Sequence, residues 1–161
     1  MKYVSGYYAM PLYVDPNDMS CGLWTETESL YSDINNKLYE TEGNPMGDYG
    51  IFENQEVPGQ IGLYWVANHI RAYLDMLYYE EFEMLEDLYY EAINDPRMMH
   101  LIFELVFKYK LYENPKVCEF LAEEFESLFR SYILTVGVED LVKVINPPKE
   151  GKKWQTYLLV Q

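Results

Sequence analysis

The chain has 161 residues, 49% hydrophobic and 17% aromatic, and carries 27 acids against 12 bases for a net charge of −15. That length and apolar content fit one domain with a sizeable core and exclude compositional disorder. The charge disfavours direct binding to nucleic acid or to an anionic membrane, and it favours basic partners.

The excess is uneven. Residues 1–62 hold ten acids and two bases, residues 63–95 hold eight acids and one base, and residues 96–161 hold nine of each. Two distant cysteines, Cys21 and Cys118, form no CxxC and no zinc spacing, so reduced thiols are expected. The start, MKYVSGYYAMPLYV, lacks the basic and apolar regions of a secretory signal. No apolar run approaches the roughly 20 residues that span a bilayer. A cytoplasmic protein is expected.

In chain order, KYVSGYYAM reads as a strand bent at Gly6, with residues 2–10 extended. DPNDMSCG is a loop by its turn chemistry. Thr25 to Glu28 fits a capping box, and Leu30, Ile34 and Leu38 follow at helical spacing, which predicts a short helix. Residues 43–62 are turn-rich connections. Residues 63–79 predict an amphipathic helix through Leu63, Val66, Ala67, Ile70, Leu74 and Leu77. A second helical pattern follows from Glu80, and residues 63–93 read equally as one helix or two. Asp95-Pro96 and Asn114-Pro115 each pair a capping side chain with proline at a first helical position. The first starts a strongly apolar central helix. The second starts one with Val117, Leu121, Phe125, Leu128 and Tyr132 inward. VEDLVKVI predicts a short helix, and KWQTYLLV a strand that pairs with the N-terminal one. The fold class is mostly α (α+β), a helical bundle with a small sheet formed by the chain termini. It reads as a single domain with an acidic strand- and loop-rich part (1–62), a helical core (63–146) and a C-terminal strand (147–161).

No P-loop, GxGxxG, HExxH or GxSxG is present. No catalytic residue, metal site or cofactor is assigned, and the chain leans away from being an enzyme. One segment stands out: LDMLYYEEFEMLEDLYYEAIND, residues 74–95, has eight carboxylates and no lysine or arginine. Glu80, Glu83, Asp87 and Glu91 follow steps of three and four, which on a helix makes one stripe. Carboxylates one turn apart stand on the order of 5–6 Å from one another, near the phosphate spacing of a nucleic-acid strand. Such a stripe would imitate that backbone. Asp75, Tyr78, Tyr79 and Tyr90 complete the expected partner-binding surface, the rings packing on arginine. The alternative is an ordinary solvated face. Like charges at that spacing cost helix stability, and a partner would offset it.

Three segments, MKYVSGYYAM, GDYGI at 47–51 and VANHIRAYLDML at 66–77, resemble a family of small bacterial proteins. The resemblance covers about half the chain, and it implies a setting among mobile elements and defence genes but no mechanism. Gly6, Asp48, Asn68, His69 and Arg71 are then the shared polar or backbone-special residues. Asp48, His69 and Arg71 would either hold the loop against the helix or line a site, and His69 would pair with backbone or with Asp48. The chain departs from the family where Cys21 is followed by GLWTETES instead of a Gly-Asp-Trp-His element. Together these readings predict a non-enzymatic acidic inhibitor of a basic, nucleic-acid-binding protein, in the manner of an anti-CRISPR, anti-restriction protein or antitoxin from a phage or mobile element. Two alternatives stand: a small enzyme or ligand-binding module centred on Asp48, Asn68, His69 and Arg71, and a structural subunit with a homodimer seam.

Overall fold

A computed structural model describes residues 1–23 and 27–136. They form a mostly helical protein with two small antiparallel sheets and divide into two compact units, the second starting at Phe103.

In the first unit, β1 (Lys2–Tyr3) pairs with β2 (Tyr39–Glu40), and β3 (Ile51–Gln55) pairs with β4 (Tyr64–Ala67). Val4 joins the two ladders, since its N–H donates to the Trp65 carbonyl at 2.8 Å and its carbonyl accepts from Ala67 at 2.9 Å. Among the described residues β1 pairs with residues 39–40, a strand that the sequence reading did not expect. Its predicted partner, 153–160, and the helix at VEDLVKVI lie outside the described residues. Residues 2–10 are not extended throughout, because Gly6–Ala9 coil into a 3₁₀ turn. Gly6 has φ +62°, and a Cβ there would strike the Tyr39 hydroxyl, so the bend read at this glycine is a close approach of β2.

The predicted 25–38 helix is fragmentary: α1 covers Thr27–Leu30, and a 3₁₀ turn Ile34–Asn36 follows. The predicted 63–79 helix starts late, at α2 (His69–Tyr78), because Tyr64–Ala67 belong to a hairpin. Asn68 is the switch. Its N–H donates to the Gly50 carbonyl at 2.7 Å, and its side chain caps α2 by accepting from the Arg71 N–H at 2.8 Å. The strand residues Tyr64–Ala67 are hydrophobic at every position, and over four residues such a run suits a helix as well as a strand.

No second long helix follows. Glu80 is left-handed (φ +58°), α3 is one turn (Phe82–Leu85), Asp87 is left-handed (φ +62°), and Tyr89–Ile93 form a π-helical turn that ends on Asn94 (φ +48°). α4 (Pro96–Lys108) begins as predicted, with the Asp95 side chain accepting from the Arg97 N–H at 2.8 Å.

The second unit is described to Val136. α5 (Pro115–Phe125) starts on the Asn114 cap, as expected. It stops at Glu126 (φ +49°), and α6 (Ser127–Val136) continues the chain. That break rotates the helical register, so Phe129 is buried and Leu128 is exposed, contrary to the predicted inward stripe. Phe103 packs edge-on against Phe125 and Phe129, both at 5.2 Å between ring centroids. No described helix is long and apolar enough to cross a membrane.

Candidate functional site

Helix α2 is buried over nearly all its length, and its polar residues sit in the core. Arg71 and Asp75 are one turn apart, fully buried, with Nε and Oδ1 at 2.9 Å. Asp75 Oδ1 also accepts from Asn44 Nδ2 at 3.1 Å, and Oδ2 accepts from the Tyr3 and Ser5 hydroxyls, each at 2.7 Å. Four donors thus meet the carboxylate's acceptor capacity. Arg71 Nη2 donates to the Tyr3 hydroxyl at 2.9 Å, and Nη1 donates to the Tyr49 carbonyl at 2.6 Å. The guanidinium also lies 5.2 Å from the Tyr3 ring centroid. Burial, then the neighbouring Asp75 carboxylate, pushes the Tyr3 hydroxyl well above the ordinary phenol range.

A second buried pair lies at the start of α2. His69 Nε2 is 2.7 Å from the Leu12 carbonyl oxygen. Its Nδ1 approaches Asp18 Oδ2 at 2.9 Å, as an ion-pair contact off the line of a good hydrogen bond. Both ring nitrogens thus face oxygen atoms, of the Leu12 carbonyl and of the Asp18 carboxylate. Burial would raise the Asp18 carboxyl, but contacts from His69 and the Ser20 N–H outweigh it and bring it down to about 2. Asn68 Nδ2 donates to Asp15 at 3.0 Å, so the 12–20 loop is tied to α2 at three points. Carboxylates also suit the positive end of a helix dipole.

The three segments that carried the sequence resemblance thus converge. Val4 bridges to Val66, Gly50 accepts from Asn68, and Arg71 ties Tyr3 to Tyr49. Gly50 (φ +68°) lies so close to α2 that a Cβ would stand 2.8 Å from Asn68 Oδ1 and 2.9 Å from Arg71 Cβ.

Compared with protein-family models, curated proteins and solved structures, the chain matches none.

Of the expected polar cluster, Asn68, His69 and Arg71 are together in the core, while Asp48 is exposed. The carboxylate that meets His69 is Asp18, and the one that meets Arg71 is Asp75. Asp75 is thereby corrected from partner surface to core: it is fully buried and reaches no partner. The sequence did hold a signal for this, because Arg71 and Asp75 are the only charges within an otherwise apolar ten-residue helix, at i, i+4 spacing. Tyr3 on β1 and Ser5, Asp18 and Asn44 outside the helices and strands are distant in sequence, and no local spacing reveals them.

The acidic segment is placed differently from its predicted helical stripe. Glu80, Glu83, Glu86, Asp87 and Glu91 are exposed, yet they ride on a turn, α3, a second turn and a π-helical turn. The single helical stripe expected to carry these carboxylates is therefore not formed. Glu81 turns inward instead and accepts from the Tyr39 hydroxyl at 2.7 Å, and burial raises its carboxyl. Tyr79 and Tyr90 are exposed at 42% and 46%, and Tyr78 is half-buried with its hydroxyl on the Gly43 carbonyl at 3.2 Å. Tyr89 is core. The described residues include no cluster of acids, histidines and cysteines arranged to hold a metal. Cys21 is exposed and Cys118 buried, both as free thiols.

Proposed function

We propose that this protein is a non-enzymatic acidic interaction protein that binds a basic protein through the exposed carboxylates of residues 80–91. The observation that carries the reading is where those carboxylates sit. Glu80 and Asp87 occupy left-handed backbone, where glycine is favoured and the Cβ of most L residues costs about 1–2 kcal/mol, less for Asp than for Glu. Charged side chains held at positions that suit glycine, in a 22-residue stretch with no lysine or arginine, fit selection for charge over local stability. Exposed Tyr79, Met84 and Tyr90 beside them supply contact area for a partner's cationic stems.

The buried polar groups support the same reading from the other side. His69 and Arg71 have no exposed surface, His69 Nε2 meets the Leu12 carbonyl, and the Arg71 guanidinium is held by Asp75, Tyr3 and the Tyr49 carbonyl. Groups so occupied suit a structural role better than an enzyme or ligand site. Regulation of a nucleic-acid-binding protein in a mobile-element setting remains the proposed context, and it draws on charge complementarity alone.

The test is a pull-down at 0.05 M and 1 M salt with wild type and with Glu80, Glu83, Asp87 and Glu91 all changed to lysine. A basic protein retained by wild type only at low salt, and lost by the variant, is the expected outcome. A partner held equally by both proteins would overturn the reading.

A further inference from the structure

The β3–β4 hairpin presents apolar side chains to solvent in a chain otherwise dominated by acid. Ile61, Leu63 and Trp65 alternate along the approach to and start of β4 and are 99%, 60% and 39% exposed. Trp65 lies on β4 itself, where the next residue, Val66, is fully buried, and Ile61 and Leu63 lie in the bend that leads into the strand. The Trp65 backbone is held by the bond from Val4, so the ring is displayed on a fixed strand. Leu63 also lines an open depression of about 660 Å³, together with Leu12, Glu56, Val57 and Gln60. Glu53, on β3, is exposed as well. Exposed apolar groups joined to a hollow mark an interaction surface more often than single exposed residues do.

Charge selects the occupant. Residues 1–62 contain only Lys2 and Lys37 against ten acids, so a second copy would bring like charge to the same face. An anionic bilayer would be repelled for the same reason. A cationic segment with an apolar anchor meets both features. We propose that this face docks a peptide segment of a protein partner in which a large apolar side chain is flanked by lysine or arginine. The apolar side chain enters the depression beside Leu63, and the cation meets Glu56. The sign of the partner's charge rests on the acidic-interaction reading above. The apolar anchor is a separate claim.

The experiment uses the full chain and two synthetic peptides of equal length and charge, one with two leucines flanked by lysines and one with serines in place of the leucines. Binding is followed at low salt by calorimetry and by tryptophan emission, with Trp65→Phe as the spectral control. The leucine peptide is expected to bind at least about tenfold more tightly, with a blue shift that Trp65→Phe abolishes. Ile61→Ser with Leu63→Ser should remove that advantage and leave the serine peptide's affinity unchanged. Because both side chains are well exposed, the melting temperature should hold. Equal affinity of the two peptides for wild type, or an advantage that survives the double substitution, overturns the anchor while leaving the acidic reading intact. Failure to bind either peptide overturns both. Concentration-dependent dimerisation that the double substitution abolishes would assign the face to a second copy. Uptake onto phosphatidylcholine–phosphatidylglycerol vesicles, lost in the same variant, would assign it to lipid. Either result overturns the peptide proposal.

Discussion

Arg71 Nε and Asp75 Oδ1 meet at 2.9 Å inside α2 with no solvent at either side chain. The pair is held from outside the helix by Tyr3, Ser5, Asn44 and the Tyr49 carbonyl, so it joins three chain segments at one point. Removing one member leaves the other charge buried and uncompensated, at a cost of about 3–5 kcal/mol. Asp75→Ala should therefore unfold at much lower urea than wild type. The double change Arg71→Met with Asp75→Leu should recover most of the loss, because well-packed apolar replacements of buried pairs are often neutral. An Asp75→Ala midpoint near that of wild type would show that the pair is not a keystone.

That network marks where reading the sequence stops working. Helix starts at Asp95-Pro96 and Asn114-Pro115 were legible because capping is local: a side chain accepts from a backbone N–H two residues on. The 80–93 region misled because carboxylates at steps of three and four look helical, whereas Glu80 and Asp87 adopt left-handed conformations that no residue there announces. The β3–β4 hairpin was hidden by its short strands and by a bulge between Phe52 and Gln55 that breaks the alternation. At the candidate site, Asn68, His69 and Arg71 were found and their carboxylate partners were not. Asp18 reaches His69 across 51 residues of chain, and spacing rules extend only along one element.

The Asp18–His69 contact carries a pH signature. Asp18 sits at about 2 in the folded protein against 3.8 for the ordinary group, a depressed value. Its stabilisation is therefore fully present above the unfolded value and is lost as pH falls from about 4 through about 2. Urea midpoints of wild type and Asp18→Asn should differ by the equivalent of about 1–2 kcal/mol at pH 5 and converge near pH 2. His69→Ala should cost roughly 1–3 kcal/mol, because it leaves the buried Leu12 carbonyl and Asp18 without the ring that fills the space between them. A gap between wild type and Asp18→Asn that stays constant across this window would disprove the ion-pair assignment.

Gly50 and Gly43 separate close approach from backbone strain. Both have positive φ, +68° and +76°, yet a Cβ on Gly43 meets nothing within 4 Å, while one on Gly50 meets Asn68 and Arg71. Gly43→Ala should cost about 1–2 kcal/mol from the left-handed backbone alone. Gly50→Ala should add about 1–3 kcal/mol of overpacking against the start of α2. The amide exchange of Arg71, whose N–H is capped by Asn68, should quicken in Gly50→Ala and stay unchanged in Gly43→Ala. Equal destabilisation by both substitutions would mean that the loop yields and that Gly50 does not seat the helix.

Stability and binding should move in opposite directions on the acidic segment. Glu80→Gly and Asp87→Gly each remove an anion and relax a left-handed residue, relieving about 1 kcal/mol of backbone strain. If the carboxylates face a basic partner, the same changes should weaken association, mainly by slowing its on-rate. The loss should shrink as salt rises, because the Debye length falls to roughly 3 Å at 1 M. Glu83→Gln, on α3 with helical backbone, removes charge without relieving strain and should weaken binding at unchanged stability. Stopped-flow association against a confirmed partner, set beside thermal melts of the three variants, resolves the two effects. Raised stability with unchanged on-rates would leave these carboxylates as a solvated face, and the purpose of their strained placement would have to be sought elsewhere.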